Sequence, residues 1–98
     1  MILKQHIISG KIILVVCDDE ILGKKFEEGR KQLDFTTDFF KGNKKTEEET
    51  KQLMKRSHYL NLNGEKTVAI GIELKLVDKK NIIWISNIPH AECVVVTE

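Results

Sequence analysis

"TEEETKQLMKRSHYLNLNGEKTVAIGIELKLVD" occupies residues 46–78, and its reading decides the fold. Thr46 followed by Glu49 has the form of a capping box, in which each side chain satisfies the other residue's backbone N–H. Acidic residues lead and basic residues trail, as the helix dipole favours. The pattern predicts a helix over residues 46–60. Leu53, Met54 and Leu60 give it only a narrow apolar stripe, so it belongs on the surface. "LNLNGE" then reads as a turn, with Asn63 as N-cap of a second helix over residues 64–76. Val68, Ile72 and Leu76 recur at i, i+4 and i+8 with Ala69 beside them, a better core face than the first helix has. "VDKKN" ends it.

Working outward, "ILKQHII" (residues 2–8) reads as a strand, and "SGK" (9–11) as a turn in which Gly10 is free to take positive φ. "IILVVC" (12–17) is apolar without alternation, the pattern of a strand covered on both faces. Residues 18–35 carry helical spacing at Leu22, Phe26, Gly29 and Leu33. Against this, Gly23 and Gly29 would each cost about 1 kcal/mol inside a helix. The segment is therefore read as a short helical turn at 19–24, extended chain turning at Glu28–Gly29, and a strand at 31–35. "KGNKK" (41–45) is a polar loop. Downstream, "IIWIS" (82–86) and "ECVVVT" (92–97) read as strands joined by "NIPHA", with Trp84 as a core residue. The sum is one α+β domain. Its mainly antiparallel sheet is built from an N-terminal and a C-terminal hairpin, and two helices pack on one face.

Ninety-eight residues with 41% hydrophobic composition can bury one core without disulfide or metal staples. Sixteen basic side chains oppose 15 acidic ones, a net +1, so any polyanion contact must come from a local patch. Between Lys24 and Arg56, ten Lys/Arg stand against seven Asp/Glu. Nothing resembles a signal peptide or a membrane span, which points to the cytosol and to no membrane partner. Cys17 and Cys93 lie in apolar runs and read as two small buried thiols. A disulfide would need their strands to be neighbours, and a reducing compartment disfavours it.

Several stretches carry possible chemistry. In "NIPHAECVVV" (87–96), Pro89 removes a ladder donor and belongs in a connection or at a sheet edge. His90 then stands where a strand begins. The plainer reading is a turn histidine satisfying backbone groups; the others are a binding or acid–base residue, and, least favoured, a metal ligand, since His6 and His58 show no ligand spacing to it. The carboxylates of "CDDE" (17–20) read first as helix-capping and solvated charge, then as acceptors for a proton or Mg²⁺. "LGKKFEEG" (22–29) has the glycines and lysines of a phosphate loop but not its spacing, so it reads as turn chemistry. Phe39, Phe40, Tyr59 and Trp84 do not form an interleaved basic–aromatic strand for stacking RNA bases. No nucleophile–base pair, metal set or cofactor fingerprint is present. If strand 12–17 and the last strand are antiparallel neighbours, His90 faces the "CDDE" carboxylates.

"CDDEILGKKFEEG" (17–29), "NGEKTVAIGIELKLVD" (63–78) and "IPHAE" (88–92) together resemble an archaeal family, domain of unknown function 424, in order and over nearly the whole chain. The departures are Asn87 where the family tends to glycine, Glu92 where glutamine is common, and "FFKG" for an "FYGG"-like turn. The resemblance implies a small archaeal cytosolic protein without an established activity, associated with translation. Carried over by match, it points to Asp18, Glu20, Gly23, Lys24, Glu28, Gly29, Gly64, Glu65, Pro89 and His90 as a shared binding feature. The resulting expectation is a non-catalytic binding module for ribosome, RNA or a translation factor. The alternatives are a protein-interaction domain, a homo-oligomer being compatible with it, and a small enzyme or metabolite binder using His90 with Asp18 or Glu20.

Overall fold

In the computed structural model of the chain, residues 1–96 are described. The elements run β1 (Ile2–Ile8), β2 (Lys11–Cys17), β3 (Lys25–Glu28), β4 (Lys31–Asp34), β5 (Asn43–Lys44), α1 (Glu47–Arg56), β6 (Tyr59–Asn63), α2 (Glu65–Glu73), β7 (Ile83–Ile85) and β8 (Ile88–Val94), with single 3-10 turns at Asp19–Ile21, Asp38–Phe40 and Lys79–Asn81. Six strands form one sheet in the order β5-β1-β2-β6-β8-β7, and β3–β4 is a separate hairpin. The fold is α+β and the sheet mostly antiparallel. Its exception is central: β2 and β6 run parallel, Leu14 beside Leu60 and Cys17 beside Asn63.

That parallel pair corrects the reading of residues 46–65. The capping box forms as expected, Thr46 accepting from Glu49 N and Glu49 from Thr46 N, each at 3.1 Å. But α1 stops at Arg56, four residues short of the expected end. The Ser57 hydroxyl donates to the Leu53 carbonyl at 2.8 Å, and the His58 N–H leaves the helix for the Ile12 carbonyl of β2 at 3.0 Å. "YLNLN", expected as the helix end and a turn, is the strand that joins the two halves of the sheet. Its Leu/Asn alternation puts Leu60 and Leu62 on one face and Asn61 and Asn63 on the other.

Both helices cover the same face. Met54 of α1 and Val68 and Ile70 of α2 bury against Leu14, Val16, Leu60, Leu62 and Ala91. The inward face of α2 is Thr67, Val68, Ile70 and Gly71; Ile72 is only half-buried, and Ala69, expected in the core, is exposed. The helix ends with Lys75 at positive φ, and Leu76 N and Lys75 N return to the Gly71 and Ile72 carbonyls, a Schellman closure that places Leu76 beyond the helix. On the opposite face, β3–β4 closes a second cluster of Cys17, Ile21, Leu33, Phe35 and Ile85. Residues 14–17 of β2 are therefore buried from both sides, as an apolar run without alternation requires.

Both hairpins of the main sheet turn through two residues at positive φ, Ser9–Gly10 and Ser86–Asn87, the conformation that matches strand twist. The second displaces an expectation. "NIPHA" is not a connection: Pro89 and His90 lie inside β8, between β6 and β7. The ring is accommodated because Gly64, opposite Pro89, donates its N–H to the Pro89 carbonyl while its own carbonyl accepts from Val68 N in α2, so no donor is needed from the proline. Trp84, expected in the core, is 52% exposed, because β7 is an edge strand and Trp84 projects beyond the helices' reach. Thr97, expected to end the last strand, lies outside the described residues. Cys17 and Cys93 are free, on strands separated by β6; Cys17 is buried and Cys93 half-buried. No helix among the described residues is long and apolar enough to cross a membrane.

Candidate functional site

Three strand ends meet where β2, β6 and β8 lie side by side, and four of the residues marked out by sequence are there. Asp18 leaves β2 and is 3% exposed. Its carboxylate does not cap the adjacent 3-10 turn. It reaches across to α2 and accepts from Lys66 N at 3.0 Å, Thr67 N at 2.9 Å and the Thr67 hydroxyl at 2.7 Å. The two N–H groups are among the first, otherwise unpaired donors of α2, where the helix dipole also favours a negative charge. Gly64 takes the N-cap position expected for Asn63, at φ 104°, and a Cβ there would collide with the Asp18 carboxylate. Gly64 in turn donates to Pro89 at 3.0 Å.

His90 does not face the "CDDE" carboxylates, because β6 separates its strand from β2. It pairs with Asn63, and the ring's Nδ1 lies 2.7 Å from Asn63 Oδ1. Asn63 is fully buried, and its amide donates to Asn61 Oδ1 at 2.7 Å and to the Val16 carbonyl at 3.1 Å. Asn61 donates to Glu92 Oε1 at 3.2 Å. A chain of hydrogen bonds thus runs from the sheet centre to an exposed carboxylate. Since the Asn63 amide N–H groups are spent on acceptors, its Oδ1 accepts a hydrogen bond from His90 Nδ1–H. The neutral ring then keeps its Nε2 lone pair, 3.7 Å from Glu92 Oε1. Sequence reading missed Asn61 and gave Asn63 only the role of an N-cap. The usable signal was the Leu-Asn-Leu-Asn alternation, which puts both amides on one face of a strand.

The other marked residues belong to the hairpin layer. Glu20 is exposed on the 3-10 turn. Gly23, at φ 82°, donates to the Phe35 carbonyl at 2.9 Å, and the Lys24 carbonyl accepts from Phe35 N, closing the base of β3–β4. Gly29 makes the hairpin turn at φ 60°. Glu28 accepts from Ser86 N at 3.0 Å and so ties the hairpin to the β7–β8 turn. Glu65 is exposed at the start of α2. Among the described residues, no cluster of three or more His, Cys, Asp or Glu side chains is placed to hold a metal ion.

Burial holds the His90 imidazole below its ordinary pKa; Glu92 pulls the other way and does not prevail. An unfolded chain takes up this proton near pH 6.5 and the folded one only at lower pH, so the His90 contribution falls as pH drops from about 6.5 through the folded value. His90→Gln should remove that loss. Denaturation midpoints at pH 7.5 and 5.5 should lie further apart in the natural protein than in the variant, and parallel profiles would show that the ring is not held neutral. Burial, then the adjacent acids, pushes the Cys17 thiol up to about 12, which leaves it inert as a nucleophile at neutral pH.

A second feature lies at the other edge of the sheet. β5 pairs only with Ile2 and Leu3, leaving the rest of that β1 edge open. There a groove of about 580 Å³ is lined by Lys4, Gln5, Lys41, Gly42, Asn43 and Lys45, with Leu53 of α1 behind. Gly42 runs so close to β1 that a Cβ would collide with the Leu3 carbonyl. Lys41 pairs with Asp38 at 3.1 Å; Lys4 and Lys45 have no carboxylate partner among the described residues.

A family model described as "Protein of unknown function (DUF424)" matches residues 6–96. No curated protein matches the chain. Among solved structures, the crystal structure of an uncharacterized conserved protein from Methanopyrus kandleri is similar, with a TM-score of 0.78 at 16% identity over 99% of this chain and 92% of that one. At that identity the likeness is one of fold.

Proposed function

The chain belongs to the DUF424 family of proteins of unknown function, and we propose that it is a non-catalytic binding module for RNA, of the kind a ribosomal or translation-factor assembly presents. The observation that carries this reading is the groove at the open edge of β1. Lys4, Lys41 and Lys45 line it around a glycine held against the strand, and two of the three have no carboxylate partner among the described residues. Such a groove suits a phosphate backbone, whose binding releases counterions and weakens with salt. The reading also agrees with the commitment of Asp18, which is buried and accepts three hydrogen bonds from the start of α2.

Co-sedimentation with ribosomal subunits on sucrose gradients, at low and high salt, tests the setting. Anisotropy titration with a labelled single-stranded RNA tests the surface. The double substitution Lys4→Glu and Lys45→Glu should weaken RNA binding at least tenfold at low salt. It should also flatten the log–log salt dependence by roughly 1.4, about 0.7 per lost phosphate contact on a single strand. Affinity unchanged by the double substitution, or indifferent to salt, would sink the reading.

A further inference from the structure

The sheet face away from the helices can be followed row by row across its strands. His6 lies beside Ile13, Ile13 beside Tyr59, and Tyr59 beside Val94. The next row holds Lys4, Val15, Asn61 and Glu92, and the next Cys17, Asn63 and His90. β3–β4 covers the last row and the 3-10 turn at Asp38–Phe40 lies over β1 and β2. Tyr59, Glu92 and Val94 are left exposed on β6 and β8. Phe39 stacks on His6 with ring centroids 4.5 Å apart and forms a wall. A groove of about 550 Å³ results, lined by Ile13, Phe39, Tyr59, Asn61, Glu92 and Val94.

We propose that this groove binds a guanine base. Glu92 is 69% exposed yet not loose: Asn61 fixes its Oε1, Asn63 fixes Asn61, and Asn63 is anchored to the buried Val16 carbonyl. Oε2 has no donor among the described residues. With His90 Nε2 behind it, the charged group at the polar end of the groove is an acceptor pair, the Glu92 carboxylate. Guanine presents two parallel donors, N1–H and the 2-amino group, that match the two oxygens of a carboxylate. Adenine and cytosine set a ring acceptor where a donor is needed, and uracil flanks its one N–H with carbonyls. Tyr59 and Phe39 supply aromatic surface for a flat heterocycle, and Ile13 and Val94 an apolar floor. A guanidinium would satisfy the carboxylate but leave most of this length unfilled.

The same base edge is offered by a free guanosine nucleotide and by an unpaired guanine in RNA. The inference does not depend on the lysine groove, since the free nucleotide alone would satisfy it.

The test is a heteronuclear NMR titration of the ¹⁵N-labelled chain with GMP, AMP, methylguanidinium, and a short oligouridylate carrying one guanine or, as control, one adenine. GMP or the guanine oligomer should move the Tyr59 and Val94 amides and the Asn61 side-chain amide saturably, at least tenfold more tightly than the adenine counterpart. Glu92→Gln, at an exposed position, should weaken guanine binding at least tenfold and leave the rest of the spectrum in place. Tyr59→Leu should weaken it by about tenfold or more, the scale of one lost base stack. Saturation by GMP assigns the site to the free nucleotide; saturation by the oligomer alone assigns it to single-stranded RNA. No saturable shift with either, equal response to adenine, tighter binding of methylguanidinium, or indifference to Glu92→Gln would each overturn the proposal. The Lys4→Glu and Lys45→Glu pair should leave the GMP shifts unchanged, which separates failure of this site from failure of the RNA groove.

Discussion

Asp18→Ala should lower the stability of the fold by about 3 kcal/mol, a large share of the roughly 5–15 kcal/mol that holds a domain of this size. Losing an N-cap side chain costs about 0.5–2 kcal/mol, and Asp18, which fills that role from the end of β2, leaves more behind than a frayed helix end. Thr67 is fully buried, so its N–H and hydroxyl would both lose their acceptor where water does not reach. Asp18→Asn should fall between the two. Its single oxygen can still take Thr67, but its amide cannot accept from Lys66 N. Urea denaturation read by circular dichroism gives the comparison. An alanine variant within about 1 kcal/mol of the natural protein would show that α2 does not rely on this carboxylate.

Gly64→Ala should cost at least as much, about 3–4 kcal/mol, through a different mechanism. At φ 104° and ψ 159° the backbone occupies a region essentially reserved for glycine, at a cost of about 1–3 kcal/mol for any other residue. The added methyl would also drive into the Asp18 carboxylate and force it off the helix start. The two substitutions share one contact, so their effects should not add. In the Asp18→Gly background the collision is gone and only the backbone strain remains, so Gly64→Ala should cost about half as much there, a coupling of about 1–2 kcal/mol in a double-mutant cycle. Strict additivity would mean that glycine is needed for its backbone alone. Because Gly64 also holds the Pro89 carbonyl, one residue from His90, loosening this junction should disturb the Asn63–His90 hydrogen bond as well.

Features whose cause is local could be read from the sequence. The capping box at Thr46, the turn at Ser9–Gly10, the 3-10 turn after Cys17 and the reversal at Gly29 each follow from a few adjacent residues. The centre of the sheet could not be read in that way. Leu53, Met54 and Leu60 extend a helical stripe past Arg56, and the bonds that His58 and β6 make to β2 and β8 pull the chain out of it. Missing β6 then hid Asn61 and Asn63 inside a supposed turn and made β2 and β8 neighbours on paper. Asp18 shows the same limit. Its capping chemistry was legible, but the helix it caps lies 48 residues further on, not in the next turn. Pro89 argued against an interior strand, and only the pairing of the Gly64 carbonyl with α2 removes the objection.

The parallel contact between β2 and β6 bears on how the chain reaches this state. Hairpins such as β1–β2 and β7–β8 can zip from their own turns within microseconds, whereas β2 and β6 meet only after residues 18–58 have closed into a loop. That entropy is spent before any ladder bond repays it, so the meeting of the two strands costs more chain entropy than either hairpin. The same logarithmic law makes the excursion elastic in length: doubling it would add only about 0.6 kcal/mol to closure. Lengthening an exposed turn within the crossover from β2 to β6, such as the one at Gly29, should therefore cost the closure of the sheet little.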